Sequence, residues 1–149
     1  MLRHTRDRQR GQSLVEFSLV LIPFLILMMG VVDLGRAIYT MNATAEAARE
    51  IARVTIVHPW SGTKNLGNSS EVQDVIATQR QLVPGLVMTS STDITCVDAT
   101  DTVVVDSDCY ARPDRFVKVH TRAPFTPITP LVSMFGDHEF ESYSRIDVP

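Results

Sequence analysis

Glu16 is the residue of this chain whose type and surroundings most call for a chemical explanation. It lies five residues after Gly11, inside an apolar run from Leu14 to Val32 that only Ser18, Pro23 and Gly30 otherwise interrupt. A carboxylate among lipid-compatible residues is costly to bury and is kept where it has a partner or a task. The chemistry it offers is charge pairing in a medium that penalises an unpaired charge heavily. Before it, Gly11 closes a stub holding Arg3, Arg6, Arg8 and Arg10 against Asp7 alone. That stub is +3 by side chains, so within a net charge of −3 it leaves −6 for everything after it.

The other reactive side chains are fewer and less eloquent. Cys96 and Cys109 are the two cysteines, and both fall after the apolar run. If that part is exported, an oxidising compartment makes a disulfide the expected state. It would close a loop of about 14 residues and contribute up to roughly 3 kcal/mol on the chain-entropy estimate. Zinc is the rival use, with His120 or His138 as further ligands, but no CxxC or HxxxH spacing supports it. Asp98, Asp101, Asp106 and Asp108 crowd the same stretch. The glycine and terminal glutamate of a calcium loop are missing, so a solvated acidic loop is expected and no metal or cofactor is assigned. No GxSxG, P-loop or HExxH motif occurs, and His58, His120 and His138 are scattered, so no catalytic residues and no enzyme activity are expected.

These residues need elements to position them. The run Leu14–Val32 is 19 residues long and holds thirteen Leu, Ile, Val and Phe. As a helix it extends about 28 Å, close to the hydrocarbon thickness of a bilayer. Those thirteen side chains favour insertion by at most about 4–8 kcal/mol. Glu16, near the end of the run, should cost less than the roughly 2.5–3.5 kcal/mol of a charge at mid-membrane. Insertion therefore wins. The arginine stub places the N-terminus in the cytoplasm and the residues beyond about 33 outside, a single pass through the cytoplasmic (inner) membrane. A secretory signal peptide fits poorly, because its core would be about 7–15 residues with a small-residue cut soon after. The acidic remainder also argues against nucleic-acid binding.

The helix is expected to continue past the membrane to Val57. Leu34, Ile38, Met41, Ala45, Ala48, Ala52 and Thr55 recur at steps of three and four, a seam along one face. Asp33 with Arg36, and Glu46 with Arg49, have i,i+3 spacing. Pro23 lacks a backbone donor and should bend the helix within the membrane. Pro59 ends the pattern. Residues 61–70 read as a loop, and Glu71–Val83 as a short helix capped by Ser69 or Ser70 and stopped at Pro84-Gly85. The rest alternates as strands at Leu86–Thr89, Asp93–Val97, Thr102–Val105, Phe116–Thr121 and Glu139–Asp147. Pro124, Pro127 and Pro130 exclude a central strand between the last two. The fold class is α+β: a long N-terminal helix and a small antiparallel sheet packed on its seam. The expected divisions are a leader at 1–11, a transmembrane helix at 12–32, its extracytoplasmic extension at 33–58 and an α+β domain at 59–149.

Arg10-Gly11-Gln12-Ser13-Leu14-Val15-Glu16-Phe17 resembles the prepilin-peptidase motif of type IV pilin-like proteins. With Asp33-Leu34-Gly35-Arg36-Ala37 and Ala47-Ala48-Arg49-Glu50-Ile51-Ala52-Arg53, the chain is similar to the TadE-like family, minor pilins or pseudopilins of the tight-adherence (Flp) system. Pro-Leu-Val-Ser-Met-Phe-Gly at 130–136 adds a weaker likeness. The resemblance implies that a membrane aspartic prepilin peptidase cuts between Gly11 and Gln12. The new amine at Gln12 would then be met by Glu16 of a neighbouring subunit, with Phe17 beside it in the assembly segment. Partners implied are that peptidase, other Tad pilins and the assembly machinery, and the lipid bilayer. Loss of residues 1–11 would leave 138 of 149, larger than the helix-only major pilins of this system and so suited to a minor role. The alternative is a single-pass anchor presenting a binding or adhesion domain.

Overall fold

A computed structural model describes residues 4–60, 65–129, 133 and 136–149, with side chains described from residue 11 onward. Its longest element, α1, runs from His4 to Val57 with Pro23 inside it. The helix thus starts within the expected leader, before Gly11. Contacts divide the chain into two compact units, Met1–Arg36 with Thr126–Gly136, and Ala37–Phe125 with Asp137–Pro149.

The second unit carries the α+β core. Its elements beyond α1 are α2 (Ser70–Leu82), α3 (Ser90–Asp93), β1 (Ile94–Val97), β2 (Val103–Val104), β3 (Phe116–Phe125) and β4 (His138–Asp147). The sheet order is β2-β1-β3-β4, each neighbouring pair antiparallel. β3 and β4 pair along their whole length, from Phe116 with Asp147 to Phe125 with His138. Along β3 burial alternates as a two-faced strand requires: Val117, Val119, Thr121, Ala123 and Phe125 point inward, and Phe116, Lys118, His120 and Arg122 lie on the other face. The inward residues meet Ile51 and Ala52 of α1 and Val72 and Ile76 of α2 in one core, with Ala47, Val83, Leu86 and Ala123 in a second cluster.

Small residues let the sheet approach the helix. Thr44, Ala47, Ala48, Ile51, Ala52 and Thr55 form the buried face of α1, and the Thr121 hydroxyl donates to the Thr44 carbonyl at 3.1 Å. This corrects the expected seam. Ala48, Ala52 and Thr55 are on the buried face, but Leu34, Ile38 and Met41 are exposed. Apolar type marks a face that avoids water without specifying what covers it; α2 and β3 supply protein cover only further along. The Glu46–Arg49 pair forms at 2.9 Å on the exposed side.

The end of α1 is closed by side chains. A helix leaves its last carbonyls without intrahelical donors. Here the Tyr110 hydroxyl donates to the carbonyls of Thr55 and Ile56 at 3.2 and 3.1 Å, and the Ser69 hydroxyl donates to that of His58 at 2.6 Å. Ser69 also accepts from the Val72 N–H, making it the N-cap of α2. Burial pushes the Tyr110 hydroxyl up to about 12, so it remains a donor at every physiological pH.

The strands also needed correction. The one expected at Leu86–Thr89 is reduced to a single antiparallel bridge, Val87 with Arg122. Gly85 turns the chain at φ +78 just before it and α3 starts just after it, leaving little length to pair. Asp93 ends α3, its carboxylate accepting the Thr89 N–H at 2.7 Å, so β1 begins one residue later than expected. Pro124 lies inside β3, where a break was expected. It is tolerated because β3 pairs with β1 only through Val119, which leaves the strand with an edge at that end.

Candidate functional site

The expected cleavage and assembly residues lie together on one exposed stretch of α1. Gly11, Gln12, Glu16 and Phe17 are all exposed, and the Gln12 side-chain amide donates to Glu16 Oε1 at 3.2 Å. Nothing among the described residues stands within 4 Å of where a Cβ on Gly11 would be. The apolar run that follows is largely without protein cover: Phe17 is 63% exposed, Val20 69% and Leu27 63%. Large apolar side chains in such numbers are not left to water in a monomeric soluble protein. Among the described residues α1 is the one helix long and apolar enough to cross a membrane by length and composition, with none of its most apolar window buried in protein.

Asp33, immediately after that run, is held very differently. Its carboxylate is buried and accepts the N–H of Ile128 at 3.1 and 3.0 Å and the N–H of Thr129 at 2.7 Å. The Thr129 hydroxyl donates to it at 2.5 Å and the Arg36 guanidinium at 3.2 Å. The Thr129 hydroxyl and N–H, with smaller help from Ile128 and Arg36, hold this carboxyl down to about 2. The expected Asp33–Arg36 pair is therefore present, but it is the minor part of the site. Ile128 and Thr129 were missed in the sequence because they lie about a hundred residues away at no motif spacing. The one available signal was the unexplained pattern Thr126-Pro127-Ile128-Thr129-Pro130. Within the 130–136 stretch that carried the weaker family likeness, only Ser133 and Gly136 are among the described residues.

Cys96 and Cys109 form a disulfide with a Cα–Cα distance of 5.8 Å, tying β1 to the turn that follows Asp108. Both sulfurs are thereby consumed, which removes the zinc alternative. Asp98, Asp101 and Asp106 nearby have separate protein partners. Asp98 accepts from the Thr100 hydroxyl and N–H and the Thr102 N–H, which hold its carboxyl below the ordinary range. Asp101 pairs with Lys118, and Asp106 accepts the Leu66 N–H at 2.8 Å. Among the described residues no group of three or more His, Cys, Asp or Glu is placed to hold a metal ion. His120 stacks on Tyr143 at 4.3 Å between the carboxylates of Asp93 and Glu141, at 3.5 and 3.6 Å. His120 is thus a histidine among polar partners on the outer sheet face.

A search of curated proteins and a search of solved structures each give no match. A family model does match, and it covers the stretch of α1 from the glycine of the expected cleavage site to the buried alanine face: residues 11–53 are similar to the TadE-like protein family.

Proposed function

We propose that this protein is a minor pilin or pseudopilin-like subunit for assembly of a Tad (Flp) type IV pilus. The TadE-like match over residues 11–53 associates it with that system. Residues 12–32 would anchor it as a single pass in the cytoplasmic membrane, N-terminus inside and the α+β domain outside, with no catalysis of its own. The observation that carries this reading is the coincidence of the family match with an apolar stretch of helix whose most apolar window has no residue buried in protein.

Gly11 supports processing by a prepilin peptidase. It sits in helical backbone with open space around it, so neither packing nor a left-handed turn selects glycine there. In a helix interior glycine is about 1 kcal/mol worse than alanine. That weakness is useful at a cleavage site, since a peptidase must draw the helix into an extended strand before it can cut. Removing the arginine stub takes away the charge that resists extraction from the membrane. It also creates an amine at Gln12, and Glu16 is the one carboxylate within the apolar run that can neutralise such a cation on an adjoining subunit.

Mass spectrometry of the native protein's N-terminus tests the proposal. A chain beginning at Gln12 is expected. One that retains Arg10, or that begins near Ala45 as after signal-peptide cleavage, overturns it and leaves the anchored binding domain as the better reading.

A further inference from the structure

Irregular backbone is excluded from the hydrocarbon of a bilayer because its N–H and C=O groups have no water to bond, and it is tolerated only toward the wet interface. The segment at Pro127–Thr129 is irregular, yet its donors are fully accounted for. Pro127 has no N–H, and those of Ile128 and Thr129 both end on Asp33. The next residue, Pro130, again lacks one by its covalent structure. Four consecutive residues therefore present no unpaired amide. The Thr129 hydroxyl is also on Asp33, and the Thr129 carbonyl accepts the Ser133 N–H at 2.9 Å.

What this segment presents is apolar. Ile128 is 62% exposed and shares a shallow cavity with Met28, Met29, Val32 and Asp33. The first three of these lie in the last turns of the uncovered run, so the Ile128 surface is continuous with the one that must avoid water. Arg36, half-exposed one turn further on and bonded to Asp33, is a cation at the level where lipid phosphates would lie.

We propose that Pro127–Thr129 is a second membrane contact, seated in the lipid–water interface beside the end of the helix and held there by Asp33. This rests on the reading that residues 12–32 span a bilayer. Asp33 acts as a clip that holds the segment beside the helix end and satisfies its two amides, so that neither needs a partner on the acyl-chain side of the interface. The ligand is the bilayer itself, through its upper acyl chains at Ile128 and its headgroup phosphates at Arg36. A helix of a second subunit is the other occupant the Ile128 surface could take.

Fluorescence quenching in vesicles decides between them. Trp60 is the single tryptophan and makes an edge contact with Tyr110, which Trp60→Phe preserves in part. In that background, Ile128→Trp and, separately, Leu25→Trp report the segment and the span in full-length protein. The protein is reconstituted into phosphatidylcholine–phosphatidylglycerol vesicles with bromine placed on the chains near the carbonyls or near the chain ends. The expected result is loss of Ile128→Trp emission with shallow bromine and of Leu25→Trp emission with deep bromine. Adding Asp33→Ala should abolish the quenching at 128 and leave that at 25. Quenching at 25 alone overturns the proposal and spares the anchor reading, whereas quenching at neither overturns both. Shielding of Ile128→Trp from aqueous iodide without quenching by lipid bromine assigns the surface to a protein partner and also overturns it. Equal quenching at 128 with and without Asp33 removes the clip. If Trp60→Phe disturbs the fold, difference spectra with Trp60 retained give the same readout.

Discussion

Two stretches of the same helix keep opposite company. Between Leu14 and Val32, α1 carries leucine, isoleucine, valine and phenylalanine, and apart from the half-buried Leu21 they are exposed. Between Thr44 and Thr55 its buried residues are mostly alanine and threonine. Side-chain size and burial are thus inverted along one element. A face meant for close packing against β3 is built small, so that a strand hydroxyl reaches a helix carbonyl. The uncovered stretch is built large, as suits a face proposed to meet a fluid apolar medium, where each methylene removed from water adds to stability and nothing has to interlock. Burial inside the protein therefore accounts for only one of the two apolar stretches of this helix.

The largest expected effect separates the two stretches directly. Ile51 is fully buried in the main core. Ile51→Ala should cost about 2–5 kcal/mol through lost burial and the cavity it leaves. Leu25→Ala, in the uncovered run, should leave the domain's stability within about 0.5 kcal/mol. Urea unfolding of the full chain in detergent, followed by the near-ultraviolet signal of Trp60, measures both. Equal shifts would break the comparison, since the run would then be part of the same cooperative unit.

Replacing Cys96 and Cys109 together by serine sharpens it further. The bridge closes a short loop between β1 and the turn after Asp108, so its loss should lower stability by up to about 3 kcal/mol. The same measurement should find the response of Leu25→Ala unchanged. A double serine variant with wild-type stability would mean that the strands and core alone constrain that loop.

The effect at Asp33 is smaller and local. With its carboxyl held near 2, well below 3.8, Asp33 favours the folded clip whenever it is ionised in both states. Its contribution is therefore complete above about pH 4 and is lost as pH falls from there toward 2. Amide hydrogen exchange at Ile128 and Thr129 reads this directly. Protection should drop over that acid window, and Asp33→Ala should remove it at all pH values, with the amides of β3 unaffected. Uniform loss across both sites would show that the segment has no opening of its own.

Legibility in the sequence followed the same division. The uncovered run, the α+β class, the two faces of β3 and a serine cap at 69 or 70 were readable because each is a local pattern: hydrophobic length, alternation, or a hydroxyl before a helix. The disulfide followed from two cysteines and an expected compartment. What stayed hidden was set by distant partners. Which turn of α1 would be covered depended on where β3 lands, so the seam was placed partly on residues that turn out exposed. The strand at Leu86–Thr89 was lost to a glycine turn and a one-turn helix competing for the same residues. Asp33 read as half of an i,i+3 pair, because nothing in its neighbourhood announces two amides and a hydroxyl from the far end of the chain.

Glu16→Ala should have the least effect on the isolated protein and the most informative one on assembly. Glu16 is exposed and accepts a hydrogen bond from the side chain of Gln12, so its removal leaves the domain's stability unchanged. Cleavage after Gly11 should also persist, since the glycine and the helix around it are untouched. Piliation should fall, because in an apolar assembly an amine at Gln12 without its carboxylate is a buried charge with no compensation, and that penalty acts on every subunit pair in which it recurs. Counting fibres by electron microscopy in cells carrying the variant, with processing checked by mass spectrometry, isolates this step. Wild-type piliation by a fully processed Glu16→Ala chain would mean that the carboxylate does not set the register of assembly. The uncovered run would then contribute hydrophobic contact without charge selection.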